Sequence, residues 1–374
     1  MVKDNVKVIY FKELNSLRFL GFIGIFFGHI FFSTNPEVLN SEVYSLLLSY
    51  GKFLGFISLD SFFVLSSFLI TWKALEEYEI SKKFSFKNFL IRRSLRIWPL
   101  YFLIVFFGFS VEYIYSFYTG RSPSLPSFWS FLFFILNFDI IKNGYEFLFF
   151  MVFMWSISVE EQFYIFWALV LKWLRKYLIT ISVVIILCSI IFRIVFIEDN
   201  LRLNFHTISC LGNFGIGAIV SLLFYQRSNI ILQFQKLSKT IVLLVYVLIF
   251  TFFILSPILS NFYIFIIFQR LLFSMFFVFV IVEQTICDNS ILKVSNFKFL
   301  DYFGKLSYGL YCFHGVIITI VIKLTGTFDD SFFKSVFIYP IIVLVTTIVV
   351  SYFSYEFYES KFLKLKSKFY KSNK

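Results

Sequence analysis

Long apolar stretches alternate with short, lysine-rich polar ones along the whole chain of 374 residues. The apolar runs fall at 14 to 33, 53 to 72, 98 to 118, 155 to 171, 179 to 197, 207 to 225, 240 to 256, 264 to 283, 306 to 322 and 336 to 356. Each is close to the roughly 20 residues a helix needs to cross a hydrocarbon core of about 30 Å. In such a solvent a backbone must satisfy its own polar groups, which favours helices. The pattern therefore predicts an all-α, polytopic membrane protein of about ten transmembrane helices. One further stretch, 127 to 154, is apolar but broken by Asn137, Asp139, Lys142, Asn143, Gly144 and Glu146.

Positive charge arbitrates that stretch, because lysine and arginine gather on the cytoplasmic side. Ten spans with a cytoplasmic N-terminus place 25 positive residues inside and 6 outside. An eleventh span at 127 to 141 inverts everything after it and makes the split 14 to 17. The expectation is ten spans, both termini cytoplasmic, and 127 to 154 lying at or dipping into the outer face. The chain reads as one domain over 1 to 374, with a core of about 12 to 362 and a basic cytoplasmic tail at 363 to 374.

Composition agrees with this solvent. Hydrophobic residues make up 59% and charged residues 15%, against about 25% charged in soluble domains. Phenylalanine occurs 59 times, which reads as packing and lipid-facing surface. A net charge of +12 would suggest nucleic acid in a soluble protein; here topology and lipid headgroups account for it, and no nucleic acid partner is expected. Cys188, Cys210, Cys287 and Cys312 form no close pair, so neither a disulfide framework nor a metal site is read. No small-residue cleavage site follows the first run, which is therefore expected to stay as an anchor. With about 18 residues after the last run, a soluble catalytic partner is expected to be a separate chain.

Ionisable groups inside apolar runs are costly and point to function. In "SLRFLGFIGIFFGHIFF", Arg18 and His29 lie eleven residues apart, about 16 Å along a helix and on nearly the same face. Arg18 can snorkel to the inner interface; His29, in the outer half, cannot. Either it makes an interhelical hydrogen bond or it is a reactive imidazole in a polar cavity. Asp60 and His314 fall near mid-membrane, Glu160 and Glu161 at the outer mouth of the fourth span, and Arg193 and Arg270 toward the outside. One shared interior pocket is the economical explanation. Ser158 with Glu161 three residues later also reads as a capping box, and His206 as a surface residue. Arg92, Arg93 and Arg96 in "FLIRRSLRIWPLY" are either a topology signal or a fork for phosphate oxygens. No nucleotide-binding loop appears.

Six segments, "LNSLRFLGFIGIFFGH", "LDSFFVLSSFLIT", "FLIRRSLRIWPLY", "WSISVEEQFY", "SYGLYCFH" and "YEFYESKF", occur in an order that resembles the integral-membrane acyltransferase family 3, which includes surface-polysaccharide O-acetylases. The resemblance runs from about residue 12 to 362. It implies an enzyme of the bacterial cell (inner) membrane that moves an acetyl or other acyl group from cytoplasmic acetyl-CoA to a hydroxyl of a cell-surface carbohydrate or lipid-linked glycan. The family's arginine and histidine fall on Arg18 and His29, its paired arginines on Arg93 and Arg96, its glutamate on Glu160 and its late histidine on His314. Asn15 and Ser16 replace its usual Asp-Gly, Ser67 a glycine and Lys361 a common proline.

A sugar hydroxyl needs a base with a pKa near 7. His29 is expected to be that base or a transient acyl carrier, with Asp60 either orienting it or bonding to a neighbouring helix. Glu160 and His314 complete the catalytic candidates; Glu160 would bind acceptor hydroxyls or assist proton transfer. Arg93 and Arg96, with Arg92 and Arg18, are the candidates for the CoA phosphates, and no metal is expected. The rival class is a secondary transporter or flippase for glycans or lipids, which would show repeat symmetry in its broken helices.

Overall fold

The computed structural model describes residues 11–33, 35–145, 148–324 and 331–369. Residues 1–10, 370–374 and Glu146 lie outside the described residues, so the expectations for both chain ends do too. The described chain is helical, with no strand. In order, α1 (Lys12–Ile30), α2 (Pro36–Leu39), α3 (Glu42–Ser81) and α4 (Phe86–Thr119) precede three short helices, α5 (Phe128–Leu132), α6 (Leu136–Asn143) and α7 (Phe149–Val152). Then come α8 (Met154–Trp173), α9 (Leu178–Val195), α10 (Asn200–Phe205), α11 (Thr207–Tyr225), α12 (Asn229–Gln235), α13 (Lys239–Leu259) and α14 (Tyr263–Ile286). The chain closes with α15 (Lys298–Lys305), α16 (Ser307–Leu324), α17 (Tyr339–Ser354) and α18 (Ser360–Lys366). Turns of π-helix at Lys334–Ile338 and Tyr355–Glu359 flank α17.

Among the described residues, seven helical stretches are long and apolar enough to cross a membrane, or eight if the α15–α16 pair, bent by 70°, is one span. These coincide with eight of the ten expected spans. The other two are α1 and α8. They are 19 and 20 residues long, but Glu13, Arg18 and His29 in one, and Glu160, Glu161 and Lys172 in the other, leave them less apolar than the rest. Both are nevertheless well buried, with Phe22, Phe26, Phe163 and Trp167 almost inaccessible. Glu13, Arg18, His29, Glu160 and Glu161 are thus partly or fully covered by protein neighbours, whereas Lys172 is exposed.

The region 127 to 154 is not a continuous span. Its described residues break into α5, α6 and α7, and side chains of neighbouring helices satisfy carbonyls at the break, Tyr101 OH donating to the Phe131 carbonyl. Phe134, between α5 and α6, has φ +53°, and its carbonyl accepts from Gln162 Nε2 at 2.7 Å. Asn137, fully buried, donates to the Phe205 carbonyl and to Thr207 Oγ1, and accepts from Gln162 at 2.9 Å.

The helix α3 runs 40 residues without interruption, about 60 Å at 1.5 Å per residue, far beyond the expected 53 to 72. It is the central strut. On one face it packs against α1 so closely that a Cβ on Gly28 would lie 2.8 Å from Gly55 Cα. On another, α11 crosses it, with the Phe214 ring tilted against Phe63 at 4.8 Å between centroids. Helix α4 starts at Phe86, where the Ser85 side chain caps Asn88 N, so the three arginines lie inside it, upstream of Pro99.

Candidate active site

His29 sits near the end of α1, half-buried, and meets fully buried His314 of α16. The His29 Nδ1 to His314 Nε2 distance is 3.1 Å. His314 Nδ1 lies 2.6 Å from the Tyr311 carbonyl, which can only accept. In the neutral pair, His314 therefore carries its proton on Nδ1, its Nε2 accepts from His29 Nδ1–H, and His29 Nε2 is left with a free lone pair. The Phe153 ring stacks on both imidazoles, at 4.2 Å from His29 and 4.9 Å from His314.

A cavity of about 100 Å³ is lined by Arg18, Arg93, Arg96, Glu160, Tyr164 and Ser66, together with Ser156 and Tyr311. The last two are within 2.6 Å of each other through their hydroxyls, and Tyr311 is the residue whose carbonyl holds His314. Glu160 accepts from Tyr164 OH at 2.7 Å, and that hydroxyl is also 2.5 Å from Ser66 Oγ. The Arg93 guanidinium lies over the Tyr164 and Phe89 rings, a cation–π arrangement. Arg18 donates to Asn15 Oδ1 at 3.0 Å. No described residue forms a hydrogen bond or ion pair with Arg96. Three cations against one carboxylate give the cavity a positive surplus.

Several sequence expectations need correction. The polar groups do not share one pocket. Leu59 lines this cavity while its neighbour Asp60 lines another, because successive helical residues point about 100° apart. Asp60 does not touch His29; it accepts from Arg270 at 3.0 Å and from Asn213 at 2.6 Å. Arg92 turns away from Arg93 and Arg96, donating to Glu77 at 2.6 Å and to the Phe369 carbonyl at 2.8 Å. Glu160 lines the same cavity as Arg18, Arg93 and Arg96. Ser158 and Glu161 form no capping box, since α8 begins at Met154; Ser158 Oγ donates back to the Met154 carbonyl and Glu161 accepts from Trp98 Nε1. His206 caps α11 by accepting from Ile208 N and stacks on Phe192 at 4.4 Å.

Sequence reading missed Tyr311, Ser156, Tyr164 and Phe153. Tyr311 lies three residues before His314, one turn away on the same face, and that spacing was the available signal.

The family model described as "Acyltransferase domain" matches residues 11–356. The chain belongs to this acyltransferase family. It is 26% identical over 356 residues to the peptidoglycan O-acetyltransferase OatA of Listeria monocytogenes, covering 86% of this chain and 53% of that protein. Over 385 residues it is 28% identical to a Staphylococcus aureus protein named "Putative O-acetyltransferase SACOL0978", covering 96% and 58%. A Bacillus subtilis relative, "Putative peptidoglycan O-acetyltransferase YrhL", is 25% identical, with 82% and 50% covered. The chain thus spans about half the length of the curated relatives it matches. No solved structure matches it. The all-helical architecture with its long apolar helices and the family together make this a multi-pass membrane protein of the acyltransferase family.

Proposed function

We propose that the chain, in the bacterial cell (inner) membrane, moves an acetyl group from cytoplasmic acetyl-CoA to a hydroxyl of a carbohydrate, free or lipid-linked, at the outer face. Residues 12 to 362 act as one unit in a ten-span topology with both termini inside. The observation that carries this reading is the His29–His314 pair, joined through Tyr311 to a cavity lined by Arg18, Arg93 and Arg96. An imidazole lone pair on His29 Nε2 suits a general base, and guanidiniums lining the cavity suit phosphate oxygens.

His29 Nε2 takes the proton of the acceptor hydroxyl as its oxygen bonds to the thioester carbonyl carbon. The C–S bond then breaks, and the proton passes to the departing thiolate. Charge developing on His29 spreads through Nδ1–H toward His314, which the Tyr311 carbonyl keeps in the accepting tautomer. Arg93, Arg96 and Arg18 hold the donor's phosphates, and Glu160 holds Tyr164 and tempers their charge. At about 100 Å³ the cavity is well below the size of a site for a whole nucleotide, so it suits a narrow thioester arm with the nucleotide outside. Peptidoglycan, named in two relatives, is the acceptor class to test first.

Purified protein in nanodiscs, given radiolabelled acetyl-CoA and a soluble muropeptide, should release free CoA and label the sugar. His29→Ala should do neither. Glycan movement without CoA release would favour the transporter alternative and sink this reading.

A further inference from the structure

A second pocket, about 460 Å³, opens on the other side of α3 from His29, between α3, α9, α10, α13 and α14. Its size is in the range of ligand sites, and the acyl-transfer reading leaves it without a role. The ionisable residues lining it are Lys52, Arg193, Arg270 and Asp60. Arg193, Arg270 and Asp60 are 2%, 3% and 2% exposed, so two buried guanidiniums face a single buried carboxylate, and exposed Lys52 adds a further charge at the rim.

The hydrogen bonds sharpen the imbalance. Arg193 bonds only neutral acceptors: the carbonyls of Ile266, Ile267 and Leu203, and Ser209 Oγ. Arg270 uses three of its five N–H donors, on Asp60 Oδ1 at 3.0 Å, Cys210 Sγ at 3.1 Å and the Asn204 carbonyl at 3.1 Å. Two donors are left on a guanidinium that lines the cavity. Glu198 and Asp199, between α9 and α10, are already engaged: Glu198 accepts from Tyr263 and Asp199 pairs with Arg202. A buried cation without a counter-charge is costly, and a fork of unspent N–H groups fits an oxyanion.

We propose that this pocket is an anion site, taking a phosphate group between Arg270 and Lys52. The phosphate is borne either by a membrane lipid headgroup or by a phosphorylated sugar. The site is distinct from the His29 centre: the α3 residues that line it, Lys52, Phe53, Phe56 and Asp60 among them, face away from Gly51, Gly55 and Ser58, which meet α1.

The test uses the full chain, delipidated in dodecyl maltoside. Phosphatidylglycerol binding is read by native mass spectrometry, and glucose 1-phosphate binding by calorimetry with glucose as the uncharged control. One arm should bind saturably, and Lys52→Glu should weaken that binding about tenfold or more. Asp60→Asn, which removes the only acid in the pocket, should tighten it several-fold. Lys52→Glu should leave acetyl-CoA binding in the same sample unchanged, so a failure of the donor site is read separately. Absence of binding in both arms overturns the proposal, as do glucose binding equal to glucose 1-phosphate, or indifference to Lys52→Glu. Lys52 is exposed, so its variant tests the idea even where Asp60→Asn does not fold.

Discussion

His29 and His314, 285 residues apart in sequence, share a hydrogen bond of 3.1 Å between Nδ1 and Nε2. Since the second imidazole is anchored on a carbonyl that can only accept, the pair is polarised in one direction. His29 is left presenting its Nε2 lone pair, and in the proposed reaction His314 would act through it as a positioning residue.

That direction makes the two histidines unequal. His29→Ala is expected to abolish acetyl transfer. His314→Phe should lower kcat by about 10² to 10³-fold, within the usual range for a lost acid–base contribution, while the KM for acetyl-CoA holds. His314→Gln, whose side-chain oxygen can accept from Nδ1–H, should recover at least tenfold of that loss. Initial rates with labelled acetyl-CoA decide it; equal loss in Phe and Gln variants would count against the relay.

The three arginines of α4 should separate cleanly. Each charge-assisted hydrogen bond is worth about 1.5–3 kcal/mol, so Arg93→Ala and Arg96→Ala should each raise the KM for acetyl-CoA by about tenfold or more. Arg92→Ala should leave that KM alone and lower the melting temperature, because it breaks a partly buried pair with Glu77 and the Phe369 carbonyl. Thermal melts and saturation curves on the same preparations test both halves.

Close approach of α1 and α3 is a packing requirement at the base. In Gly28→Leu, side-chain atoms would meet the Gly55 backbone, where even a Cβ comes within 2.8 Å. Overpacking of this kind costs about 1–3 kcal/mol. Displacing the end of α1 would also carry His29 off its partner, so activity should fall further than the melting temperature alone explains.

Gln162 pins the broken segment before α8. Gln162→Leu would leave the Phe134 carbonyl and buried Asn137 short of a partner, at about 1–3 kcal/mol for each unsatisfied group. Faster hydrogen exchange over residues 133–143, with α9 unchanged, is the expected signature.

Much of the architecture could be read along the chain. Runs of apolar residues dictate helices because lipid offers the backbone no partners, and the lysines between them argued against an eleventh span, consistent with the break into α5, α6 and α7. Segment 14 to 33 was legible as a helix carrying Arg18 and His29. The pairing of His29 with His314 was not, because contact between distant helices depends on which face each presents. Asp60 shows the same limit: one residue of rotation from Leu59 sends it to Arg270 instead of the histidine. Arg92 shows it again, turned by a single residue from the cavity to Glu77.

By itself, then, the order of residues determined the solvent, the helical class, the family and the polar groups that had to find partners. Only the tertiary structure decided how those groups were shared out. Helix rotation and crossing are set by close packing at positions such as Gly28 and Gly55, and they divided one expected polar interior into two pockets on opposite faces of α3.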